Sequence, residues 1–143
     1  MNSSYFSLIL FQTCGPISKR EYAKLKNIYV DKLKLTQILI NLIKNSKEAC
    51  LESKNKEKFI LIKAGPIDES RFFIQVIDNG IGINSVHLPQ IFSYGFTTKN
   101  SGHGFGLHSS IIAIHEMKGS LEVDSEGVDT GARFTIQLPN KAT

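Results

Sequence analysis

Cysteine is scarce in this chain. Cys14 and Cys50 are the only two, and they stand in neither a Cys-x-x-Cys pair nor a metal-ligand spacing. That argues against a disulfide framework or a zinc module and fits a reduced, intracellular protein. Long apolar runs are missing too. No stretch approaches the length that spans a bilayer, and Tyr5–Phe11, although apolar, has neither the basic leader nor the cleavage site of a signal peptide. A cytoplasmic location without direct membrane contact is the expectation. Arginine-rich runs and basic patches interleaved with aromatics are also absent, so the net charge of +4 does not predict a nucleic-acid partner. There are no internal repeats. What remains is a chain of 143 residues, 41% hydrophobic and 21% charged, which suits one soluble globular domain with a core of its own.

Residues 1–26 are the least legible. Tyr5–Phe11 reads as a strand or as the remnant of a helix from a larger parent, and Gly15-Pro16 interrupts it. Glu21–Lys26 is charged and helical in propensity, and Asn27–Val30 is β-like. From residue 27 to about 140 the pattern sharpens into a domain. Asp31 suits the N-cap of a long helix reaching about Ser53. On it Leu35, Ile38, Leu39, Leu42, Ile43, Ser46, Ala49 and Cys50 share one mostly apolar face. Gln37, Asn41, Asn45 and Glu48 form a polar stripe beside that face, and Asn45 lies at the margin.

Lys58–Ala64 and Arg71–Ile77 read as strands joined by a turn that starts at Gly65-Pro66. Residues 84–101 form a connection with a helical patch near His87–Pro89, and Gly104 to about His115 reads as a second helix. Gly119–Asp124 and Ala132–Leu138 complete a hairpin. The expected fold is an α+β two-layer sandwich, with a mixed, mostly antiparallel sheet and helices on one face.

Two glycine-rich turns dominate the domain: Asp78-Asn79-Gly80-Ile81-Gly82-Ile83 after a strand, and Gly102-His103-Gly104-Phe105-Gly106-Leu107 opening a helix. The first lets backbone approach a flat base closely. The second aims bare amide N–H groups at a phosphate. Asp78, ending its strand, suits the amino group of adenine, whereas the carbonyl of guanine would set two acceptors against each other, so ATP is favoured over GTP. Asn45 offers a neutral oxygen to Mg²⁺, a hard ion that takes few protein ligands. Thr97, Thr98 and Lys99, just before the second loop, are placed for the β- and γ-phosphates, and His103 for a phosphate contact. Thr135, on the last strand, is a candidate to reach adenine through water. His87, His108 and His115 read as structural. The mild basic surplus serves as a rim around polyphosphate.

Taken together, these stretches resemble the ATP-binding catalytic domain of sensor histidine kinases, in the superfamily that includes gyrase B, Hsp90 and MutL. Asn41–Ala49 resembles the N box, Asp78–Gly82 the G1 box, and Ile91-Phe92 with Gly95–Lys99 the F box and lid. Gly102–Leu107 resembles the G2 box, and Gly131–Thr135 with Leu138-Pro139 the closing strand. The resemblance implies a Bergerat fold, with three helices on one face of a sheet and ATP under a lid over residues 93–101 that is displaced without nucleotide. It implies that Asp78 binds adenine, that Asn45 holds Mg²⁺, and that Asn41 and the lid serve the phosphates.

Residues 1–26 contain no His-Glu or His-Asp helix start, so the phosphoacceptor histidine is expected on another chain or another part of a longer protein, with a response regulator downstream. The isolated domain is expected to be monomeric, with no catalytic residue of its own. Two other readings share the fold or the ligand: a stand-alone serine kinase of the anti-sigma type, and a nucleotide-binding interaction module without turnover. Both the serine kinases and the gyrase–Hsp90 branch resemble this chain but carry a glutamate base where Asn41 stands, and an asparagine cannot act as a base at neutral pH.

Overall fold

Asp31 starts the longest element. Its Oδ1 accepts the backbone N–H of Lys34 at 3.1 Å, and helix α1 follows over Lys32–Glu52 with Ser53 as its C-cap. A computed structural model of the chain describes residues 19–22, 28–93, 95, 96 and 106–140. Within them the other elements are strands β1 (Lys19–Tyr22), β2 (Ile60–Pro66), β3 (Arg71–Asp78), β4 (Ser120–Asp124) and β5 (Ala132–Pro139), helix α2 (Gly106–Glu116), and a 3-10 turn at Leu88–Gln90. The five strands make one sheet in the order β1-β2-β3-β5-β4. Only β1 and β2 run parallel; every other pair is antiparallel. The sheet is mixed and mostly antiparallel, as the pattern predicts.

The core lies between one sheet face and the two helices. Strand alternation puts Ile60, Ile62 and Ala64 of β2, Phe72, Ile74 and Val76 of β3, and Phe134, Ile136 and Leu138 of β5 inward. Against them pack Leu35, Ile38, Leu39, Leu42 and Ile43 of α1 and Ile114 of α2. Lys34 Nζ reaches Glu116 Oε2 at 2.9 Å, tying the first turn of α1 to the last residue of α2.

Several local readings are corrected. Glu21 and Tyr22 belong to a strand, not a helix: β1 covers the open edge of β2, pairing Lys19–Tyr22 with Leu61–Ala64. Backbone pairing at an edge overrides the weak helical preference of charged residues, and a polar strand there discourages further pairing. Residues 23–27 lie outside the described residues. Ile28 and Tyr29 form no strand; Ile28 is buried in the core, and the N–H of Tyr29 donates to Asn140 Oδ1.

Strand β2 also starts later than expected and runs through Gly65-Pro66, which register with Phe73 and Phe72. Pro66 is tolerated because it ends the strand, beyond the last β1 partner, Tyr22↔Ala64. The turn is Ile67–Ser70 instead, closed by Ile67 N–H to Arg71 O at 2.9 Å and by Asp68 Oδ1 accepting from Ser70 N–H. Among the described residues there are two α-helices and a 3-10 turn, against the three helices the resemblance implies. The Tyr5–Phe11 segment and residues 97–105, with most of the lid, lie outside the described residues.

Candidate functional site

Strand β3 delivers Asp78 to its end, buried at 4% exposure. Burial raises its pKa above the ordinary carboxylate value by disfavouring the charge, while the N–H of Gly80, the nearby Ser46 hydroxyl and the N–H of Ala132 act the other way and favour the anion. The Gly80 contact is a 2.8 Å bond to Oδ1.

The turn after Asp78 is pressed onto α1. A side chain at Gly80 would lie 2.5 Å from the carbonyl carbon of Ala49, so the backbone passes where only glycine fits. Ile81 N–H donates to Ala49 O at 3.1 Å. Gly82 has φ +70° and lies against the carbonyl of Gly127. The Ile83 N–H donates to Ser125 Oγ at 3.0 Å, and its side chain packs on the core. On the other side Asn79 is a staple: its Oδ1 accepts from Phe59 N–H at 2.8 Å and its Nδ2 donates to Glu57 O at 2.7 Å. Asn55 Nδ2 donates in turn to Asn79 O at 2.9 Å. Nothing local in the sequence signals this staple, because its partners lie in the loop before β2.

Further along α1 sit the two asparagines, both half-buried. Asn41 Nδ2 faces Gly106 O at 3.5 Å and Ser110 Oγ at 3.4 Å, and its Oδ1 accepts from Gln37 Nε2 at 3.3 Å. It therefore touches the first turn of α2, where Gly106 and the half-buried Leu107 begin the helix. Asn45 lies one turn along α1, between Asn41 and the Asp78 turn. The distance along the helix from Asn41 to Ala49 is about 12 Å at 1.5 Å per residue. The Gly80 turn after Asp78 thus meets α1 at Ala49 and the start of α2 meets it at Asn41, with Asn45 between them, while Gly82 and Ile83 lie toward Gly127 and Ser125. Among the described residues no group of His, Cys, Asp and Glu could by itself hold a metal ion.

Thr135 does not join them, which corrects the expectation that it reaches the base. Asp78 pairs with Ala132, so position 135 is three residues further along β5 and on the opposite sheet face. There its hydroxyl accepts from Gln75 Nε2 at 3.2 Å. Strand parity follows the inward Phe134, Ile136 and Leu138 and was available in the sequence. The hydroxyl beside Asp78 is instead Ser46, on the apolar face of α1, with no solvent exposure and no completed hydrogen bond. A buried hydroxyl without a partner costs about 1–3 kcal/mol. Thr97, Thr98, Lys99, Gly102, His103, Gly104 and Phe105 lie outside the described residues. Among the histidines read as structural, His108 Nδ1 lies 3.0 Å from Phe92 O, and the His87 ring stacks at an angle on Phe96.

Residues 30–142 match the family model described as the histidine kinase-, DNA gyrase B- and HSP90-like ATPase. The chain belongs to this family. Family membership implies ATP binding by the domain. Its similarity to curated relatives points to one branch. It is 32% identical over 114 residues to the sensor protein FixL of Bradyrhizobium diazoefficiens, covering 78% of this chain and 22% of FixL. It is 39% identical over 116 residues to the sensor histidine kinase ZraS of Salmonella typhi, covering 80% of this chain and 24% of ZraS. The chain thus spans under a quarter of the length of these sensor kinases. Its fold is similar to that of the mycobacterial sensor histidine kinase MprB, with a TM-score of 0.77 at 17% identity over 98% of this chain and 92% of that structure. No helix among the described residues is long and apolar enough to cross a membrane.

Proposed function

We propose that residues 27–140 are the ATP- and Mg²⁺-binding catalytic domain of a two-component sensor histidine kinase. It passes the γ-phosphoryl group of ATP to a histidine outside this chain, and a response regulator receives it next. The observation that carries the reading is the line of groups on α1. A buried carboxylate, Asp78, stands at one end, Asn45 in the middle, and Asn41 meets the first turn of α2 at the other end. A purine at Asp78 sets its phosphates toward Asn41 and α2, where backbone N–H groups of a helix start favour anions.

Asn45 fits Mg²⁺ carried in with a nucleotide: one neutral oxygen from the protein suits a hard ion whose other ligands are phosphate and water. When bound, the ion neutralises charge on the phosphates. Asn41 supplies no base, so the domain's own work is to bind, orient and hold the nucleotide. The serine-kinase and gyrase-like alternatives, which need a base there, gain no support.

The test is a titration with a fluorescent ATP analogue, with and without Mg²⁺. Wild type is expected to bind, with ATP but not GTP competing. Asp78→Asn is expected to abolish binding, and Asn45→Ala to remove the magnesium dependence. If Asp78→Asn binds like wild type, the purine lies elsewhere and the proposed site falls.

A further inference from the structure

The ladder between β3 and β5 ends at the pair Asp78↔Ala132. Beyond it the two chains do not part. Gly131 N–H donates to Gly80 O at 3.2 Å, Asp129 N–H to Ile81 O at 2.6 Å, and Ile83 N–H to Ser125 Oγ at 3.0 Å. The loop over residues 125–131, between β4 and β5, therefore lies along the turn after Asp78 as an irregular continuation of the sheet. The first two bonds are backbone to backbone and ask nothing of the side chains. The third depends on one hydroxyl, at the point farthest from the ladder. Ser125 directly follows Asp124, the last residue of β4, so this hydroxyl is carried on a strand end. Its Oγ donates to Gly131 O at 2.7 Å, with Gly127 O farther off at 3.4 Å. It accepts from Ile83 N–H at 3.0 Å and, at 3.4 Å, from Gly127 N–H. One donor and two acceptor sites are all that a serine hydroxyl has. The bonds to Gly127 and Gly131 fold the loop on itself, as serines in turns commonly do. The bond to Ile83 reaches 42 residues away, and it is the shorter of the two that Oγ accepts.

We propose that Ser125 is a positioning residue for the nucleotide, acting through the turn that it holds. The proposal deepens the reading of Asp78 as the purine end of the site and rests on it. Gly80 and Ile81 are fixed by their bonds to the loop and by Ile81 N–H to Ala49 O of α1 at 3.1 Å. Gly82, at φ +70°, then turns the chain in a conformation open mainly to glycine. The fixed end therefore does not by itself dictate where Ile83 goes, and the Ser125 bond does. Without the hydroxyl, Ile83 N–H and Gly131 O both lose a partner, and the turn is free to sample other positions. A turn that keeps its place only about a third to a tenth of the time raises the apparent dissociation constant by the inverse of that fraction.

The experiment measures ATP and ADP affinity, melting temperature and amide hydrogen exchange on wild type, Ser125→Ala and Asp31→Ala. Ser125→Ala is expected to bind both nucleotides roughly 3- to 10-fold more weakly, and by the same factor, because the turn borders the Asp78 end and not the phosphates. Its Ile83 amide is expected to exchange faster than in wild type. Asp31→Ala, which loses only a helix cap, is expected to melt lower with its affinities unchanged. A merely structural serine would behave like that control, so unchanged nucleotide affinity in Ser125→Ala overturns the proposal. A loss confined to ATP overturns it as well. Wild type alone gives a second test, should Ser125→Ala fail to fold. On binding ATP, the amides of Ile83, Asp129 and Gly131 are expected to gain protection together. Protection of Ile83 without the other two, or of none of the three, means that the loop does not hold the turn for the nucleotide, and the proposal falls. Asp78→Asn separates the two readings. Wild-type ATP affinity in that variant removes the purine site and this proposal with it; if Asp78→Asn abolishes binding while Ser125→Ala binds like wild type, only the role of Ser125 falls.

Discussion

Asp78 is a carboxylate kept in a place that resists its charge. Burial raises its pKa, and the amides of Gly80 and Ala132 offset part of that effect. The consequence for pH has two opposite signs. Between the ordinary carboxylate value, about 4, and the raised one, the folded chain keeps a proton that the unfolded chain has released. The Asp78 contribution to stability is therefore greatest at low pH and declines as pH rises through the raised pKa. Ligand binding runs the other way, because only the carboxylate accepts from an amino group. ATP affinity is expected to fall on acidification, starting at a pH above that of an ordinary aspartate. Denaturation of nucleotide-free wild type and Asp78→Asn across pH, subtracted one from the other, isolates the first effect; ATP titrations of wild type over the same range isolate the second. If the stability difference and the ATP affinity are both flat there, the raised pKa is wrong.

Helix α1 serves the core and the site with different residues. Its buried positions face the sheet, while Asn41 at its margin meets the first turn of α2. The two roles are separable along its length. Leu42 has no exposure, so Leu42→Ala is expected to cost about 2–5 kcal/mol of stability. Asp31→Ala removes only the cap on Lys34 N–H and is expected to cost about 1 kcal/mol. Because Asp31 lies at the end of α1 away from Asp78, this substitution should leave the ATP dissociation constant unchanged. Urea denaturation paired with ATP titration checks both. A several-fold loss of affinity in Asp31→Ala would mean that the cap is coupled to the site. Strand β1 teaches a complementary lesson at this scale: its helical propensity is real but local, and the unpaired edge of β2 decides its conformation.

At the scale of the molecule, the proposed nucleotide site lies at one end of the sheet, where β3 ends and β5 begins. The chain covers 22% of FixL and 24% of ZraS, and the proposed function sends the phosphoryl group to a histidine outside it. Incubated with γ-labelled ATP, the chain alone is expected to acquire no phosphohistidine. With a separately expressed phosphoacceptor domain from its own signalling system, label is expected on that domain, in the acid-labile and alkali-stable form of phosphohistidine. Label retained on this chain, or alkali-labile serine phosphate, would instead support the serine-kinase reading.

Much of the scaffold around the candidate site could be read before any fold was known. The Asp31 cap, the apolar face of α1 and the strand that ends at Asp78 depend on residues a few positions apart, and periodicity and caps are local physics. Gly80 and Gly82 were legible as close-approach positions, though not what approaches them: Ala49 and Gly127. The parity of β5 excluded Thr135 from the core face, yet only the register Asp78↔Ala132 says which residue lies beside the carboxylate. Ser46 read as one small residue on a greasy face until the packing of α1 against β3 brought it to Asp78. The sequence by itself determined the longer elements, α1, β3, α2 and the β4–β5 hairpin. Tertiary structure decided the neighbours, because burial, unsatisfied polar atoms and shifted pKa values arise only between segments that the chain brings together from far apart.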